Sequence, residues 1–223
     1  MNEIGPSGCC GPLHFQVIAS GCMSCNASVV WNEETRDAIV IDPTDQATNI
    51  IEFVNEQKLH ARRILLTHAH FDHAADTDRA IRELGCEAML HPDDLPLYQE
   101  IPWQASLFGL KLPAQHAMPL PIQDRETIEL FPDYPISVLH VPGHSAGSVT
   151  YYIAKTGWAF VGDTLFFGGV GRTDRPGGSS KQLIASIRER LYALPEPTVA
   201  VPGHGSTTTI GREKRLNPFV RAE

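Results

Sequence analysis

Short runs of apolar residues, many of them β-branched or aromatic, recur along the whole chain and predict β-strands. These runs lie at residues 15–19, 27–31, 38–42, 63–67, 87–91, 127–130, 136–141, 148–153, 158–162 and 198–201. Apolar positions with helical spacing lie between some of them, at residues 49–59, 74–84 and 180–194. Strands that outnumber helices in this way predict mixed sheets covered by helices, which is an α/β or α+β fold class.

The region 92–124 has a different pattern, because six prolines interrupt any periodicity there. An irregular connection of this length predicts a lid, a binding loop or a link between half-domains. Its aromatic residues Tyr98, Trp103 and Phe108 would then either close over a site or pack as ordinary core. At the start of the chain, the Gly- and Pro-containing residues 1–12 predict a flexible leader, followed by a single domain over 13–223.

Composition narrows the classes of partner. The chain has 223 residues, 42% of them hydrophobic, and a formal net charge of -8, which argues against nucleic acid or an anionic membrane as the main partner. No apolar run approaches the ~20 residues that a membrane helix needs, and the N-terminus lacks the features of a signal peptide. We therefore expect a cytoplasmic protein with reduced thiols, whose Cys22 and Cys25 are turn residues rather than a metal or redox pair. The oligomeric state stays open.

The highest concentration of histidine and aspartate residues follows the apolar run 64–66, where the chain reads T-H-A-H-F-D-H. Imidazole nitrogens and carboxylate oxygens are ligands for Zn²⁺ and similar metals. A lone histidine at a strand end would be an ordinary solvated group, but this density of ligands predicts a metal site. The candidate ligands here are His68, His70, Asp72 and His73.

A similar arrangement occurs at three later predicted strands, each of which is followed by a turn residue and then by a histidine or an aspartate. Strand ends are where a sheet assembles a site from distant parts of a sequence. The three additional candidates are His144, Asp163 and His204. A closed structural zinc takes four ligands, so seven candidates predict two metal ions that share one carboxylate.

The motifs T-H-A-H-F-D-H, P-G-H-S-A-G, G-D-T-L-F and V-P-G-H-G resemble the metallo-β-lactamase superfamily in content and order. Residues 162–174 resemble its type II glyoxalase branch, the hydroxyacylglutathione hydrolases, and residues 210–220 resemble a short bacterial subgroup without the C-terminal helical domain. The resemblance implies a four-layer αββα sandwich of two mixed sheets flanked by helices. It implies that one metal is held by His68, His70 and His144, and the other by Asp72, His73 and His204, with Asp163 bridging both.

This resemblance, together with the ligand set, predicts a metal-dependent hydrolase that cleaves a small-molecule thioester such as S-lactoylglutathione. A hydroxide shared by two divalent ions would attack the carbonyl, and Asp72 would orient it. Zinc is the expected metal, with iron or manganese as alternatives. The resemblance also assigns Arg172 to substrate binding, whereas a surface salt bridge to Asp174 is the competing interpretation.

Other functions compete with this one. A persulfide dioxygenase would resemble the same motifs and use a single iron. A lactone or ester hydrolase would use the same dinuclear centre, and a metal-binding scaffold would show no turnover. Asp163 argues against class B β-lactamases, which usually have a cysteine at that position.

Overall fold

The structure, a computed structural model, describes residues 3–221 and divides into two compact units. Unit 1 extends to Pro121 and unit 2 begins at Ile122, so each unit comes from one uninterrupted stretch of the chain. Each unit has its own mixed sheet and its own helices. The single domain over 13–223 stays a prediction.

Unit 1 contains a seven-stranded sheet whose strands follow the order of the sequence. The strands are β1 (Glu3–Cys10), β2 (Leu13–Ser20), β3 (Cys25–Asn32), β4 (Asp37–Ile41), β5 (His60–Leu65), β6 (Glu87–Leu90) and β7 (Leu120–Pro121). Strands β1 to β4 pair antiparallel, and β4 to β7 pair parallel. Parallel neighbours need crossover connections, and these contain the helices of this unit.

The helices of unit 1 are α1 (Thr48–Glu56), α2 (Phe71–Ala74), α3 (Thr77–Leu84), α4 (Leu95–Gln99) and α5 (Ile101–Ser106). Helix α1 buries Ile50, Ile51 and Val54 in the same apolar cluster as the sheet residues Val29 and Val40. Removing these apolar surfaces from water is the main force that fixes the helix on its sheet.

The flexible leader predicted for residues 1–12 is wrong for the described part of that segment. Residues 3–10 form β1, which pairs antiparallel with β2 through a tight connection in which Cys10 lies opposite Leu13. An outer strand gains its hydrogen bonds from one neighbour and needs little apolar character, so hydrophobic periodicity does not detect it. Residues 1–2 lie outside the described residues.

The irregular region predicted at 92–124 is also partly wrong, because it holds a 3₁₀ turn at Pro92–Asp94 and the helices α4 and α5. Pro92, Pro96 and Pro102 each lie in the first turn of one of these elements. Proline is tolerated there because the missing N–H has no partner within the helix. Tyr98 is 1% exposed and belongs to the core, whereas Trp103 is 47% exposed.

Unit 2 has a six-stranded mixed sheet in the order β15-β14-β11-β10-β9-β8, and β12 and β13 form a separate hairpin. The strands are β8 (Thr127–Ile128), β9 (Ile136–His140), β10 (Val149–Ile153), β11 (Trp158–Gly162), β12 (Leu165–Phe166), β13 (Gly169–Val170), β14 (Val199–Pro202) and β15 (Thr208–Thr209). The helices are α6 (Ser180–Ser186), extended by a π-helical turn at Ile187–Leu191, and α7 (Ile210–Leu216). The parallel pair is β11 with β14, and the other pairs are antiparallel.

The predicted fold class is confirmed, since the structure has two mixed sheets flanked by helices. Every predicted strand coincides with an observed one, although boundaries shift by a few residues. The helix predicted over 74–84 is observed as α3, which begins later, at Thr77, because a break separates it from α2. Among residues 3–221, no helix has the length and apolar character that crossing a membrane requires.

Candidate metal centre

The first ligand motif lies in the segment that follows β5. Strand β5 ends at Leu65, so His68 and His70 lie beyond the end of the strand. His70 precedes the first residue of α2, and that short helix carries Asp72 and His73. The ring centroids of His68 are 4.8 Å from His70 and 4.1 Å from His73, so unit 1 gathers three imidazoles in one place.

A buried aspartate that the sequence analysis did not select orients two of these imidazoles. Asp42 accepts hydrogen bonds from His73 Nδ1 at 2.9 Å and from the Thr67 hydroxyl at 2.6 Å. His68 Nδ1 donates to the same hydroxyl oxygen at 3.0 Å. With Nδ1 of both imidazoles engaged in this way, their Nε2 atoms keep the lone pair that a metal requires.

Asp42 is itself near enough to share a metal ion with two of the histidines, because its carboxylate lies within 4.8 Å of ligand atoms of His68 and His73. Both of its oxygens are already committed, since Oδ1 also accepts the Thr67 N–H at 2.7 Å. We therefore assign it to orientation of the ligands. The signal was available in the sequence, because Asp42 follows β4 as the other candidates follow their strands.

The backbone between the ligands is held by two further buried side chains. Asp94 accepts a hydrogen bond from the Ala69 N–H at 2.9 Å. Gln104 of α5 accepts from the Phe71 N–H at 3.1 Å and donates to the Ala69 carbonyl at 3.1 Å. The Pro-rich region thus fixes the shape of the ligand segment, and this role is invisible to motif analysis because neither residue is close in sequence.

In unit 2, one carboxylate oxygen faces two imidazoles. Asp163 Oδ2 lies 3.6 Å from His144 Nε2 and 3.7 Å from His204 Nε2. Two ligand atoms on one tetrahedral zinc are roughly 3.4 Å apart, given Zn–N and Zn–O distances near 2.1 Å. The spacing around Asp163 is therefore the spacing of groups that share metal ions. A comparable distance, 3.8 Å, separates Asp72 Oδ2 from His73 Nε2 in unit 1.

The backbone that follows Asp163 returns close to the ligands of unit 2. His144 Nδ1 donates to the Arg172 carbonyl at 2.8 Å, which leaves Nε2 of His144 on the side of Asp163. Gly171 permits this approach, because a Cβ there would lie 1.8 Å from the Asp163 carbonyl oxygen. A side chain at position 171 would therefore displace either the loop or a ligand.

The Arg172 side chain forms the salt bridge that competed with a substrate role in the sequence analysis. Its guanidinium donates two parallel hydrogen bonds to the Asp174 carboxylate, both at 2.7 Å. This hydrogen bonding raises the pKa of Arg172 and holds the pKa of Asp174 well below its usual range. Both side chains are more than half exposed, so the pair is weak enough to be displaced by another carboxylate.

The two cysteines of the C-x-x-C motif differ in their surroundings. Cys22 is exposed, whereas Cys25 is buried at the start of β3 with its Sγ 3.4 Å from His73 Nδ1. Burial raises the pKa of the Cys25 thiol to about 12, and burial with a hydrogen bond to Asp45 raises that of Cys22 to about 11. Both thiols therefore stay protonated at neutral pH and are poor nucleophiles.

The donor atoms fit borderline divalent metal ions. The candidate set offers imidazole nitrogens and carboxylate oxygens, and the oriented imidazoles present Nε2 with Nδ1 hydrogen-bonded. This combination is typical of zinc and iron sites, in which the second ring nitrogen is held by a carboxylate or a carbonyl. The chemistry of the donors does not select one metal among these.

Comparisons with known proteins agree with this architecture. The chain is 36% identical to the hydroxyacylglutathione hydrolase GloC of Haemophilus influenzae over 217 residues, which cover 95% of this chain and 100% of that protein. The crystal structure of the BLEG-1 B3 metallo-beta-lactamase is 34% identical with a TM-score of 0.86, and the match covers 92% of this chain and 99% of that one. A di-iron-bound crystal structure of TTHA1623 is 39% identical with a TM-score of 0.83 and the same coverage.

A sequence model of the metallo-beta-lactamase superfamily matches residues 20–204. That range contains every candidate ligand from His68 to His204 and the orienting Asp42. The match includes parts of both compact units and the motifs T-H-A-H-F-D-H, P-G-H-S-A-G and G-D-T-L-F. The chain therefore belongs to the metallo-β-lactamase superfamily, and it is a metal-dependent hydrolase by family.

Proposed function

We propose that this protein hydrolyses a hydroxyacylglutathione thioester, with S-lactoylglutathione as the leading substrate. The observation that carries the proposal is the similarity to the hydroxyacylglutathione hydrolase of Haemophilus influenzae over that protein's whole length. Products would be a hydroxy acid and the free thiol.

In the proposed site, His68, His70 and His144 would hold one ion, and Asp72, His73 and His204 would hold the other, with Asp163 available to both. The contacts described within each unit support this division, since Asp163 faces both His144 and His204. When bound, two divalent ions would lower the pKa of water toward ~7 and polarise the thioester carbonyl. Asp72 would accept a hydrogen bond from the attacking water and orient it.

A thioester suits these residues because a thiolate is a good leaving group. No dedicated general acid is then needed to protonate it, and the proposed ligand set contains none. Amide or simple alkyl ester substrates would make a stronger demand for an acid, because their leaving groups are more basic.

We expect purified protein to contain two divalent ions per chain. Elemental analysis after saturation with zinc, and separately with iron, measures this number. One tightly held ion with an empty second position in metal excess would contradict the dinuclear proposal. That result, combined with O₂ uptake on glutathione persulfide, would support the persulfide dioxygenase instead.

Substrate assays separate the remaining functions. S-lactoylglutathione, a lactone and a β-lactam should be compared under identical metal loading. A β-lactam is included because the chain is 34% identical to a B3 metallo-beta-lactamase, despite the aspartate at position 163. Turnover of the thioester at a kcat/KM well above that of the others is the expected result, and a preference for the β-lactam would overturn the proposal.

Replacing Arg172 with alanine should raise KM for a glutathione thioester and lower kcat/KM by about 1–3 kcal/mol, the scale of a charge-assisted hydrogen bond. Glutathione carries carboxylates, and an arginine fork pairs with them in two parallel bonds. Metal content should not change, because the carbonyl of residue 172 still accepts from His144. Steady-state kinetics and elemental analysis measure both.

Asp174→Ala provides the matched comparison. It removes the carboxylate that occupies the Arg172 guanidinium, so it should leave KM unchanged or lower it. A thioester without carboxylates should be insensitive to either substitution. If both variants raise KM equally for both substrates, the salt bridge has a structural role and Arg172 does not anchor glutathione.

A further inference from the structure

A carboxylate in helix α7 is buried under four hydrogen-bond donors. Glu213 is fully buried and accepts from Thr208 Oγ1 at 2.6 Å, Asn217 Nδ2 at 2.9 Å and the Gly168 N–H at 3.0 Å, as well as from the Arg212 guanidinium. Burial raises the pKa of Glu213, but these bonds outweigh burial and hold the pKa below its usual range. The carboxylate therefore stays ionised, and such charge-assisted bonds are the strong ones.

One of these contacts, with the Gly168 N–H, reaches the turn of the β12–β13 hairpin, and two further contacts join α7 to this hairpin. Besides the Gly168 N–H bound by Glu213, the Gly169 carbonyl accepts from Asn217 Nδ2 at 3.0 Å. The Arg212 guanidinium lies 3.5 Å from the centroid of the Phe167 ring, which is a cation–π contact. Helix α7 thus holds the turn of the hairpin by a carboxylate, an amide and a guanidinium.

The chain that follows the hairpin contacts the candidate ligand His144. Strand β13 ends at Val170, and the next two residues are Gly171, which packs against the Asp163 carbonyl, and Arg172, whose carbonyl accepts from His144 Nδ1. Only one residue, Gly171, separates the end of the hairpin from Arg172, whose carbonyl orients His144. A movement of the hairpin would therefore displace this hydrogen bond.

We propose that Glu213 and Asn217 are positioning residues, named here the hairpin latch, which hold the β12–β13 hairpin so that the Arg172 carbonyl orients His144. This role accounts for Glu213 and Asn217 in the segment I-G-R-E-K-R-L-N at residues 210–217, of which Ile210 belongs to the apolar core. The competing interpretation is that Glu213 merely stabilises α7. The inference rests in part on the proposed ligand role of His144. Of the two measurements described below, only the release of metal depends on that role.

The test uses Glu213→Gln and Asn217→Ala in the full-length, metal-loaded protein. The matched control is Glu196→Gln, which removes an ion pair between Arg215 of α7 and an exposed carboxylate that does not contact the hairpin. Hydrogen–deuterium exchange of the hairpin amides, followed on a peptide covering residues 165–172, reports the latch directly. We expect exchange to be faster by about tenfold or more in both latch variants, since locally opened segments lose protection first, and unchanged in the control.

The second readout is release of metal to a chelator in excess, measured well below the melting temperature of each variant. Residues that orient a ligand typically change metal affinity by about 10–100-fold when replaced. We expect release to accelerate by that factor in the latch variants and not in Glu196→Gln. Neither readout requires turnover, so failure of the thioester assignment would leave the test intact.

Two outcomes would overturn the latch. If both latch variants melt earlier but keep the hairpin exchange of the parent protein, Glu213 only stabilises its helix. If the exchange accelerates while metal release does not, the hairpin is held but is not coupled to His144. Should Glu213→Gln fail to fold, Asn217→Ala decides alone. This variant loses the hydrogen bond from Asn217 to the Gly169 carbonyl, while the Glu213 carboxylate stays in α7.

Discussion

Replacing Asp163 with alanine is expected to lower kcat/KM for the thioester by roughly 10³-fold or more. Asp163 Oδ2 faces the Nε2 atoms of both His144 and His204, so the variant would lose a shared ligand and leave two cations without the carboxylate between them. A metal ion contributes several kcal/mol to a transition state, and each 1.36 kcal/mol is a factor of ten. Steady-state kinetics and elemental analysis of the same preparation measure the effect.

His116→Ala is a suitable control, because it removes an exposed imidazole outside the ligand motifs. It should keep both the metal content and the activity of the parent protein. Near-parent turnover by Asp163→Ala with two ions still bound would rule out the bridging role. Loss of activity with a lowered melting temperature in the metal-free state would indicate misfolding instead, so melting is measured with and without metal.

Replacing Asp42 with asparagine should weaken metal binding by about 10–100-fold, the usual effect of losing an orienting partner. Asn lacks the second acceptor oxygen, so it cannot accept from the Thr67 N–H, the Thr67 hydroxyl and His73 Nδ1 together as Asp42 does. One unsatisfied buried donor costs about 1–3 kcal/mol of the free energy of unfolding. Competition with a chelator and denaturant unfolding measure the two effects.

Asp133→Asn is the matched control for this substitution. Both aspartates have a left-handed backbone, with φ of 51° at Asp42 and 63° at Asp133, and asparagine tolerates that conformation as well as aspartate does. Asp133 is exposed, so the same chemical change there should alter neither metal affinity nor stability measurably. Equal effects at both positions would contradict the orienting role of Asp42.

The sequence was sufficient to predict the fold class and most strands of the two large sheets. A buried strand of four to eight apolar residues can be recognised from its own sequence, without knowledge of its partners. Runs such as 136–141 and 158–162 therefore match β9 and β11. Helices begun by proline were missed, because Pro96 and Pro102 interrupt periodicity while fitting the first turn. The outer strand β1 was missed because backbone pairing with β2, and not apolar spacing, defines it.

The seven ligands were selected from spacing and resemblance, and their shared role stays a prediction. What spacing could not identify are the groups that orient them. Asp42, Gln104 and Glu213 act through hydrogen bonds to residues 25 to 45 positions away, and a linear motif contains no information about such contacts. Asp42 was the easiest of the three to predict from the sequence, because it follows an apolar strand in the same way as Asp163.

Each compact unit is built from one uninterrupted stretch of chain, and this has a consequence for synthesis. A domain segment can fold once it has left the ribosome, and the N-terminal part does so first. The network that joins Asp42, Thr67, His68 and His73 lies wholly within the first 121 residues. We therefore expect the nascent chain to align two of the seven candidate ligands, His68 and His73, before Asp163 has been translated.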